Sequence, residues 1–376
     1  MKKIILSLLF LTSITICKAQ TATEFYDQGK ILKTDSKITE AIVAFKEAVR
    51  LDPRYRDAWY ELGWCQNDVE DYKGALTALR NAKSLGTDRA NILFELAYAF
   101  EKTDNDDSAS YYYKRCLLIN PDYSTANKRL GYIAYMKEDY VTALQWFDKY
   151  EAASTTPVTD YYYWYRKGYT NNALKNFDAA KTSLNKSLEF KQDYISTYLE
   201  LGYACYKLLQ NDEAISNYQK AVTIDPKNHI PYNGIADVYR DNLKNMEEAM
   251  RWYGKTLAFK PTERKANYGM GYCLNSNGKY SEAIPYIKKA IENEKDYTAA
   301  YIELGYSYYM TSNNSLALEN FSRAISISPL NENARYYSGL VYINQGNRTQ
   351  AQKMSDELKQ LGSDLAATLQ EKVNKM

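Results

Sequence analysis

Histidine is nearly absent from the sequence, which has one among 376 residues. That residue, His229, stands beside Ile230 and Pro231, so acid–base pairs, catalytic triads and metal sites that need several imidazoles are excluded. The sequence also lacks a G-x-x-x-x-G-K-[ST] loop and a G-x-G-x-x-G turn, two common phosphate-binding motifs. We therefore predict that the chain is not an enzyme and that it uses neither a metal ion nor a cofactor.

An excess of charge of one sign is missing as well. With 48 basic and 46 acidic residues, the formal net charge is +2, which gives no electrostatic footprint for nucleic acid. No uninterrupted apolar run is long enough to span a membrane. Apolar residues still make up 45% of the chain, enough to bury a core, and tyrosine is unusually frequent at 38 residues. The composition predicts a folded chain with no nucleic-acid partner and no transmembrane segment.

Residues 1–19 differ from the rest of the sequence. Two lysines precede an apolar stretch over residues 4–16, and Ala19 provides a small residue for cleavage. This order is typical of a secretory signal peptide, so we expect a mature chain that begins at Gln20 and is periplasmic or secreted. Lipid anchoring at Cys17 is less favoured, because a bacterial lipobox needs a small residue where this sequence has a bulky isoleucine.

Residues 195–228 show most clearly the unit from which the rest of the chain is built. Apolar and small residues recur at a helical period in two runs, with polar residues 210–212 between them and a proline near the end. This pattern predicts two antiparallel helices that approach closely at Gly202 and Ala214. The unit resembles the tetratricopeptide repeat (TPR) family, whose 34-residue pattern has an aromatic residue at position 4, Leu-Gly at 7 and 8, Ala at 20 and 27, and Pro at 32.

The same frame fits ten consecutive copies along the chain. Position 20 is alanine in all ten, once one extra residue is allowed in the seventh copy. Position 8 is small in all ten: Gly29, Gly63, Ala97, Gly131, Gly168, Gly202, Ala236, Gly271, Gly305 and Gly339. The resemblance implies an all-α fold, a right-handed superhelical solenoid of about ten TPR helix–turn–helix repeats whose first (A) helices line a concave groove.

The regular frame is interrupted once in the middle of the chain. The fourth copy carries three extra residues and has Tyr150 at position 27, and the fifth has Tyr163 at position 3. Large side chains on both sides of this junction predict looser packing, and hence a bend or hinge. It would divide residues 20–160, with repeats 1–4, from residues 161–365, with repeats 5–10. A locally repacked junction without motion is the alternative.

The tenth copy departs from the frame, with Ser355 at position 24 and Leu358 at position 27. Beyond it, apolar residues recur at a helical spacing beside charged ones. Repeat stacks need such an amphipathic helix to cover their last apolar face. We predict that residues 366–376 form a C-terminal capping helix.

Four cysteines follow the proposed signal peptide, and no two of them have a C-x-x-C spacing. Each lies in a different repeat at a position that faces a neighbouring helix: Cys65, Cys116, Cys205 and Cys273. We predict buried free thiols rather than disulfides.

Aromatic residues at position 9 are the most informative excess. The TPR pattern leaves this position variable, and the resemblance places it on the concave groove, where rings are available for recognition. Asp237 is the one charged interruption. We call the following set the position-9 row: Trp64, Tyr98, Tyr132, Tyr169, Tyr203, Tyr272 and Tyr306. The alternative is that these rings only fill space between A helices.

We predict a non-enzymatic scaffold that binds a protein or peptide along the aromatic-lined groove. The alternative from another class is a glycan-binding envelope module, because aromatic rings also stack on sugars. The polar residues available to such a module are Glu95, Glu200, Asn275 and Glu303. The sequence does not define the oligomeric state.

Overall fold

The structure is a computed structural model that describes residues 20–292 and 294–376, so the predicted signal peptide and Cys17 lie outside the described residues. The chain divides into two compact units between Val158 and Thr159. Every regular element within the described ranges is helical. None of the described helices is both long and apolar enough to cross a membrane.

The first unit contains four helical hairpins within its described residues. The helices pair in chain order, each A helix with the B helix that follows it. They are α1 (Ala22–Thr34), α2 (Ile38–Leu51), α3 (Arg56–Asp68), α4 (Tyr72–Ser84), α5 (Ala90–Glu101), α6 (Asp106–Ile119), α7 (Ser124–Met136) and α8 (Tyr140–Ala153).

The second unit contains six hairpins and one final helix within its described residues. The helices are α9 (Tyr161–Ala173), α10 (Phe177–Phe190), α11 (Ile195–Lys207), α12 (Asn211–Ile224), α13 (His229–Asp237), α14 (Met246–Phe259), α15 (Arg264–Ser276), α16 (Tyr280–Glu292), α17 (Thr298–Met310), α18 (Asn314–Ile327), α19 (Glu332–Asn344), α20 (Arg348–Gln360) and α21 (Leu365–Asn374). The predicted all-α solenoid of helical hairpins is confirmed.

Glycine at position 8 lets the two helices of a hairpin touch. A Cβ atom on Gly29 would lie 2.6 Å from Cε1 of Phe45, and one on Gly202 would lie 2.6 Å from Cε1 of Tyr218. Both rings stand at position 24 and fill space that any larger residue at position 8 would occupy. The close approach predicted at Gly202 is therefore confirmed.

Every turn between an A helix and its B helix contains one residue with a left-handed backbone at position 15. Their φ angles lie between +53° and +74°, although only two of the ten are glycine. The residues are Ser36, Glu70, Asp104, Glu138, Lys175, Leu209, Lys244, Gly278, Ser312 and Gly346. Since the backbone is so similar, side chains at position 15 leave each turn from an equivalent place.

The extra residue of the seventh copy is absorbed inside its A helix. After Asp237 the helix continues as a π-helical turn, Val238–Asn242, which accommodates one residue without breaking the helix. Asp237 is buried, accepts a hydrogen bond from Tyr253 Oη at 2.5 Å, and pairs with Lys265 Nζ at 2.5 Å. The interruption of the position-9 row is thus part of a charged network.

Helix α21 supplies the side chain that the tenth repeat lacks. Ser355 stands at position 24, where other copies carry a large apolar or aromatic residue. Leu369 of α21 takes that space, because a Cβ atom on Gly339 would lie 2.5 Å from Leu369 Cδ2. Leu369 and Val373 are fully buried, and Ser355 Oγ donates to Gln370 Oε1 at 3.0 Å. The predicted capping helix is confirmed.

All four cysteines of the described chain are buried and free, as predicted. Burial raises the pKa of the Cys205 thiol to about 11 and the pKa of Cys65, Cys116 and Cys273 to about 12. They are therefore protonated at neutral pH, which makes them poor nucleophiles.

Candidate partner-binding concavities

Asparagine at position 12 of one repeat and glutamate at position 6 of the next form the same pair three times. The asparagine Nδ2 donates to the glutamate backbone oxygen at 3.0–3.1 Å and to its Oε2 at 2.8 Å. The pairs are Asn67 with Glu95 in the first unit, and Asn172 with Glu200 and Asn275 with Glu303 in the second. Each pair ties two successive A helices together.

These polar pairs are withdrawn from water. The three asparagines are only 4–5% exposed. Burial raises the pKa of Glu95, Glu200 and Glu303, while the hydrogen bond from the asparagine opposes that rise. Each pair thus joins a buried asparagine to a partly buried glutamate, a setting in which an unsatisfied polar atom is unfavourable.

The Asn67–Glu95 pair lines a concavity of about 330 Å³ in the first unit, which we call the first concavity. Trp64 and Tyr98 of the position-9 row line it as well. The Tyr98 ring meets the Tyr72 ring edge-on, with centroids 6.3 Å apart. The sequence prediction thus named two residues of this site.

The Asn172–Glu200 pair lines a concavity of about 490 Å³ in the second unit, which we call the second concavity. Tyr169 and Tyr203 of the position-9 row line it, and the Tyr203 ring meets Phe177 edge-on at 6.0 Å. Burial raises the pKa of Tyr203.

The two concavities are built from the same repeat positions. The first takes its residues from copies 2–4 and the second from copies 5–8, and matched residues are 105 positions apart. The matched identical residues are Asn67 and Asn172, Glu95 and Glu200, and Tyr98 and Tyr203. The two units therefore each carry a version of one site.

The asparagine Oδ1 atom distinguishes the three pairs. In Asn67 and Asn172 this oxygen is buried and has no hydrogen-bond partner in the described part of the chain. In Asn275 it accepts a hydrogen bond from Ser307 Oγ at 2.7 Å. A buried acceptor without a partner destabilises the fold by about 1–3 kcal/mol. We call the first two pairs open and the third closed. The residues matched to Ser307 in the open pairs are Ala99 and Ala204.

An aromatic ring accompanies the closed pair. Tyr337 stands at position 6 of the tenth repeat and packs on Tyr306 at 5.2 Å and on Phe321 at 5.7 Å. At the matched position, the first concavity has Arg129 and the second has Gly234. The Asn275–Glu303 pair thus has both its oxygen satisfied and a large ring beside it.

Cations cover two of the rings in the first concavity. Lys33 Nζ lies 3.6 Å from the centre of the Trp64 ring and pairs with Glu61 at 2.7 Å. The Arg129 guanidinium lies 4.9 Å from the centre of the Tyr98 ring. These contacts leave less ring surface for a ligand that stacks on a flat aromatic face.

The rings of the position-9 row take part in packing, as the space-filling alternative expects. Of its seven rings only Tyr203 is exposed, at 38%, and the other six are half-buried. Tyr98 and Tyr272 pack against buried core clusters, and Tyr132 meets Phe147 at 5.8 Å. Neighbouring repeats need these rings for burial. The binding role of the row remains a prediction, and Tyr132, Tyr272 and Tyr306 lie outside both concavities.

The comparisons with known proteins agree with the repeat frame. Two models of the tetratricopeptide repeat match the chain, one at residues 26–90, 97–156 and 268–332 and the other at 161–194 and 195–228. Together they cover more than half of it. The chain belongs to the tetratricopeptide repeat family. In this TPR chain, no group of three or more His, Cys, Asp or Glu side chains among the described residues could hold a metal ion.

Curated relatives of this TPR chain are distant and longer. It is 24% identical over 277 residues to the peroxisomal targeting signal receptor of Kluyveromyces lactis, an alignment that covers 71% of this chain and 41% of the receptor. A TPR repeat-containing protein of Methanocaldococcus jannaschii is 22% identical over 335 residues, which cover 85% of this chain and 48% of that protein. The chain thus spans less than half the length of either relative.

Solved structures share the TPR fold. The Cut9–Hcn1 hetero-tetramer of the APC/C matches with a TM-score of 0.50 and 13% identity, over 94% of this chain and 90% of that chain. PilF of Pseudomonas aeruginosa matches with a TM-score of 0.51 and 18% identity, over 56% of this chain and 97% of that chain. At such identities the similarity shows the fold alone.

Proposed function

We propose that this TPR chain is a non-enzymatic scaffold that binds a polypeptide at the two open pairs. The observation that carries the proposal is the unpartnered Oδ1 atom of Asn67 and of Asn172, each in a residue that lines a concavity. A polypeptide offers backbone N–H groups to such acceptors, and the surrounding tyrosine rings add rigid contact area. Both oxygens are covered in the unbound chain, so the partner displaces a neighbouring side chain when it binds.

The similarity to a protein named as a targeting signal receptor supports a polypeptide as the partner. The glycan alternative has less support from the geometry. A sugar ring needs an open aromatic face, whereas Lys33 covers Trp64 and Arg129 covers Tyr98 in the first concavity. The carboxylates that a sugar would use are bound by asparagine. A polypeptide that binds edge-on through its amides meets neither obstacle.

A peptide selected from a phage-displayed library on the purified chain provides the probe for this proposal. Ala99→Ser and Ala204→Ser introduce at each open pair the hydroxyl that Ser307 supplies at the closed pair. The variant at the occupied concavity is expected to weaken peptide binding about five- to tenfold, because a hydrogen bond of ~1 kcal/mol then competes with the partner. Binding isotherms on the two variants measure the change.

Ser307→Ala is the matched control, and it is expected to leave the peptide affinity unchanged. If Ala99→Ser and Ala204→Ser both bind the peptide as tightly as the parent chain does, the open pairs do not hold the partner. A library that yields no binder at all would contradict polypeptide recognition itself.

Export is a separate proposal that rests on the pattern of residues 1–19. A charged start, an apolar stretch and a small residue at Ala19 together support cleavage by a signal peptidase. The expected mature protein begins at Gln20 and resides in the periplasm or outside the cell. Its intact mass tests this directly, and a diacylglycerol adduct on Cys17 would replace the proposal with a membrane-anchored chain.

A further inference from the structure

The two concavities have different charges at matched positions of their rims. Position 15 is Glu70 in the first and Lys175 in the second, and φ is +62° at both. Position 13 is Asp68 in the first and Ala173 in the second. Because the turns have the same backbone, these side chains stand in equivalent places around the same Asn–Glu pair. The design is shared and the charge is not.

The other cations of the two sites are already neutralised within their own units. Arg129 of the first concavity pairs with Glu101 at 3.2 Å, and Lys265 of the second pairs with Asp237 at 2.5 Å. By contrast, none of Glu70, Asp68 or Lys175 forms an ion pair with another described residue. The rim charges without an ion pair are therefore two negative groups at the first concavity and one positive group at the second. Each site also holds the carboxylate of its own Asn–Glu pair, which accepts a hydrogen bond from a neutral asparagine.

The walls of the two concavities also differ, in size and in polarity. Position 6 of the third contributing repeat is Arg129 in the first concavity and Gly234 in the second, and position 2 is Thr125 in the first and Ile230 in the second. The second concavity is accordingly larger, at about 490 Å³ against about 330 Å³, and more apolar. The Tyr218 ring fills the space beside Gly234, because a Cβ atom there would lie 2.5 Å from Tyr218 Cζ. The second concavity therefore presents apolar surface, Tyr218 and Ile230, where the first has a guanidinium.

We propose that the two concavities select opposite charges in a polypeptide partner. The first takes a segment that carries lysine or arginine, and the second takes a segment with aspartate or glutamate beside a large apolar side chain. This inference rests on the proposed function, because it assigns a peptide class to each of the two open pairs. Rim charges steer and select partners more than they add affinity, so selectivity is the property to measure.

Two fluorescent nine-residue peptides serve as probes on the full chain, each with a central phenylalanine, one flanked by aspartate and glutamate and the other by lysine. Lys175→Glu is expected to weaken binding of the acidic probe about fivefold or more, and Glu70→Lys to weaken the basic probe similarly. Each change leaves the other probe within about twofold. Raising the salt concentration reduces both effects, since exposed charges are screened.

The turns provide matched controls with the same change of net charge. Lys244 and Glu138 also stand at position 15 with positive φ, and neither lines either concavity. Lys244→Glu and Glu138→Lys are expected to leave both probes within about twofold of the parent chain. Fluorescence anisotropy titrations on all four variants give the comparison.

Three results would overturn the inference. The controls could match the rim variants, which would assign the effect to net charge alone. Each rim variant could affect both probes equally, or neither probe could bind the parent chain. If Ala99→Ser or Ala204→Ser still weakens the binding of library-selected peptides, only the assignment of charges to the two concavities is wrong. If neither variant weakens their binding, the proposal that a polypeptide binds at the open pairs is wrong as well.

Discussion

At the scale of single residues, the three Asn–Glu pairs differ at position 10 of the second repeat, which is Ser307 in the closed pair and alanine in the two open ones. The single proton of the Ser307 hydroxyl is shared between the Asn275 side-chain oxygen at 2.7 Å and the Glu303 backbone oxygen at 2.9 Å. A buried acceptor that lacks a hydrogen bond destabilises the fold. A ligand that donates a hydrogen bond to it removes this cost, which favours binding. The open pairs are therefore less stable in the unbound chain than they could be.

This difference predicts opposite effects on stability. Ala99→Ser and Ala204→Ser are each expected to stabilise the unbound chain by roughly 1 kcal/mol, while Ser307→Ala destabilises it by about 1–3 kcal/mol. Thermal melts followed by circular dichroism give the order of the four proteins. A lower melting temperature for both Ala99→Ser and Ala204→Ser than for the parent chain would mean that the new hydroxyl has no room at the open pairs.

At the scale of elements, α21 is defined by what it fills. Leu369 is fully buried against Gly339, where the tenth repeat offers only Ser355 at position 24. Leu369→Ala leaves a cavity there and is expected to destabilise the last hairpin by about 2–5 kcal/mol. Hydrogen exchange of α19 and α20 measures this loss.

Lys372→Ala provides the control on the same helix, because Lys372 is exposed. Its hydrogen-exchange rates are expected to stay those of the parent chain. Equal protection of α19 and α20 in the Leu369→Ala protein would show that the tenth repeat is stable without its cap.

The helical hairpins could be predicted from the sequence because their determinants are local and repeated. A small residue at position 8 and an alanine at position 20 are required wherever two helices touch, as Gly29 against Phe45 shows. The extra residue of the seventh copy was visible as a break in the frame. Its accommodation as a π-helical turn was not, since an insertion can equally lengthen a loop.

The candidate site could be predicted only in part. Four residues of the position-9 row line the two concavities, because the repeat frame fixes which face a residue occupies: Trp64, Tyr98, Tyr169 and Tyr203. Their role in binding remains a prediction. Four of the six residues of the Asn–Glu pairs were named as polar groove residues, but their pairing was not predicted, although the spacing of 28 residues recurs three times. That signal lies between repeats, and periodicity within one repeat does not reveal it. The open oxygens depend on a third residue at position 10 and need coordinates.

At the scale of the whole molecule, the chain divides between Val158 and Thr159, in the segment that follows α8 and precedes α9. This segment contains the three extra residues of the fourth copy. Repeat stacks derive their cooperativity from nearest-neighbour packing, so an irregular connection is where cooperativity is weakest. The hinge inferred from the sequence remains a prediction.

If cooperativity is interrupted there, repeats 1–4 and repeats 5–10 unfold as two blocks. Hydrogen exchange of the full chain is then expected to show less protection over residues 155–163 than over a regular junction such as residues 191–195 of the second unit. In increasing urea, amides of one block exchange at a lower concentration than amides of the other, and amides within a block exchange together. A single transition shared by all ten repeats, with equal protection at both junctions, would mean that the extra residues are repacked without loss of cooperativity.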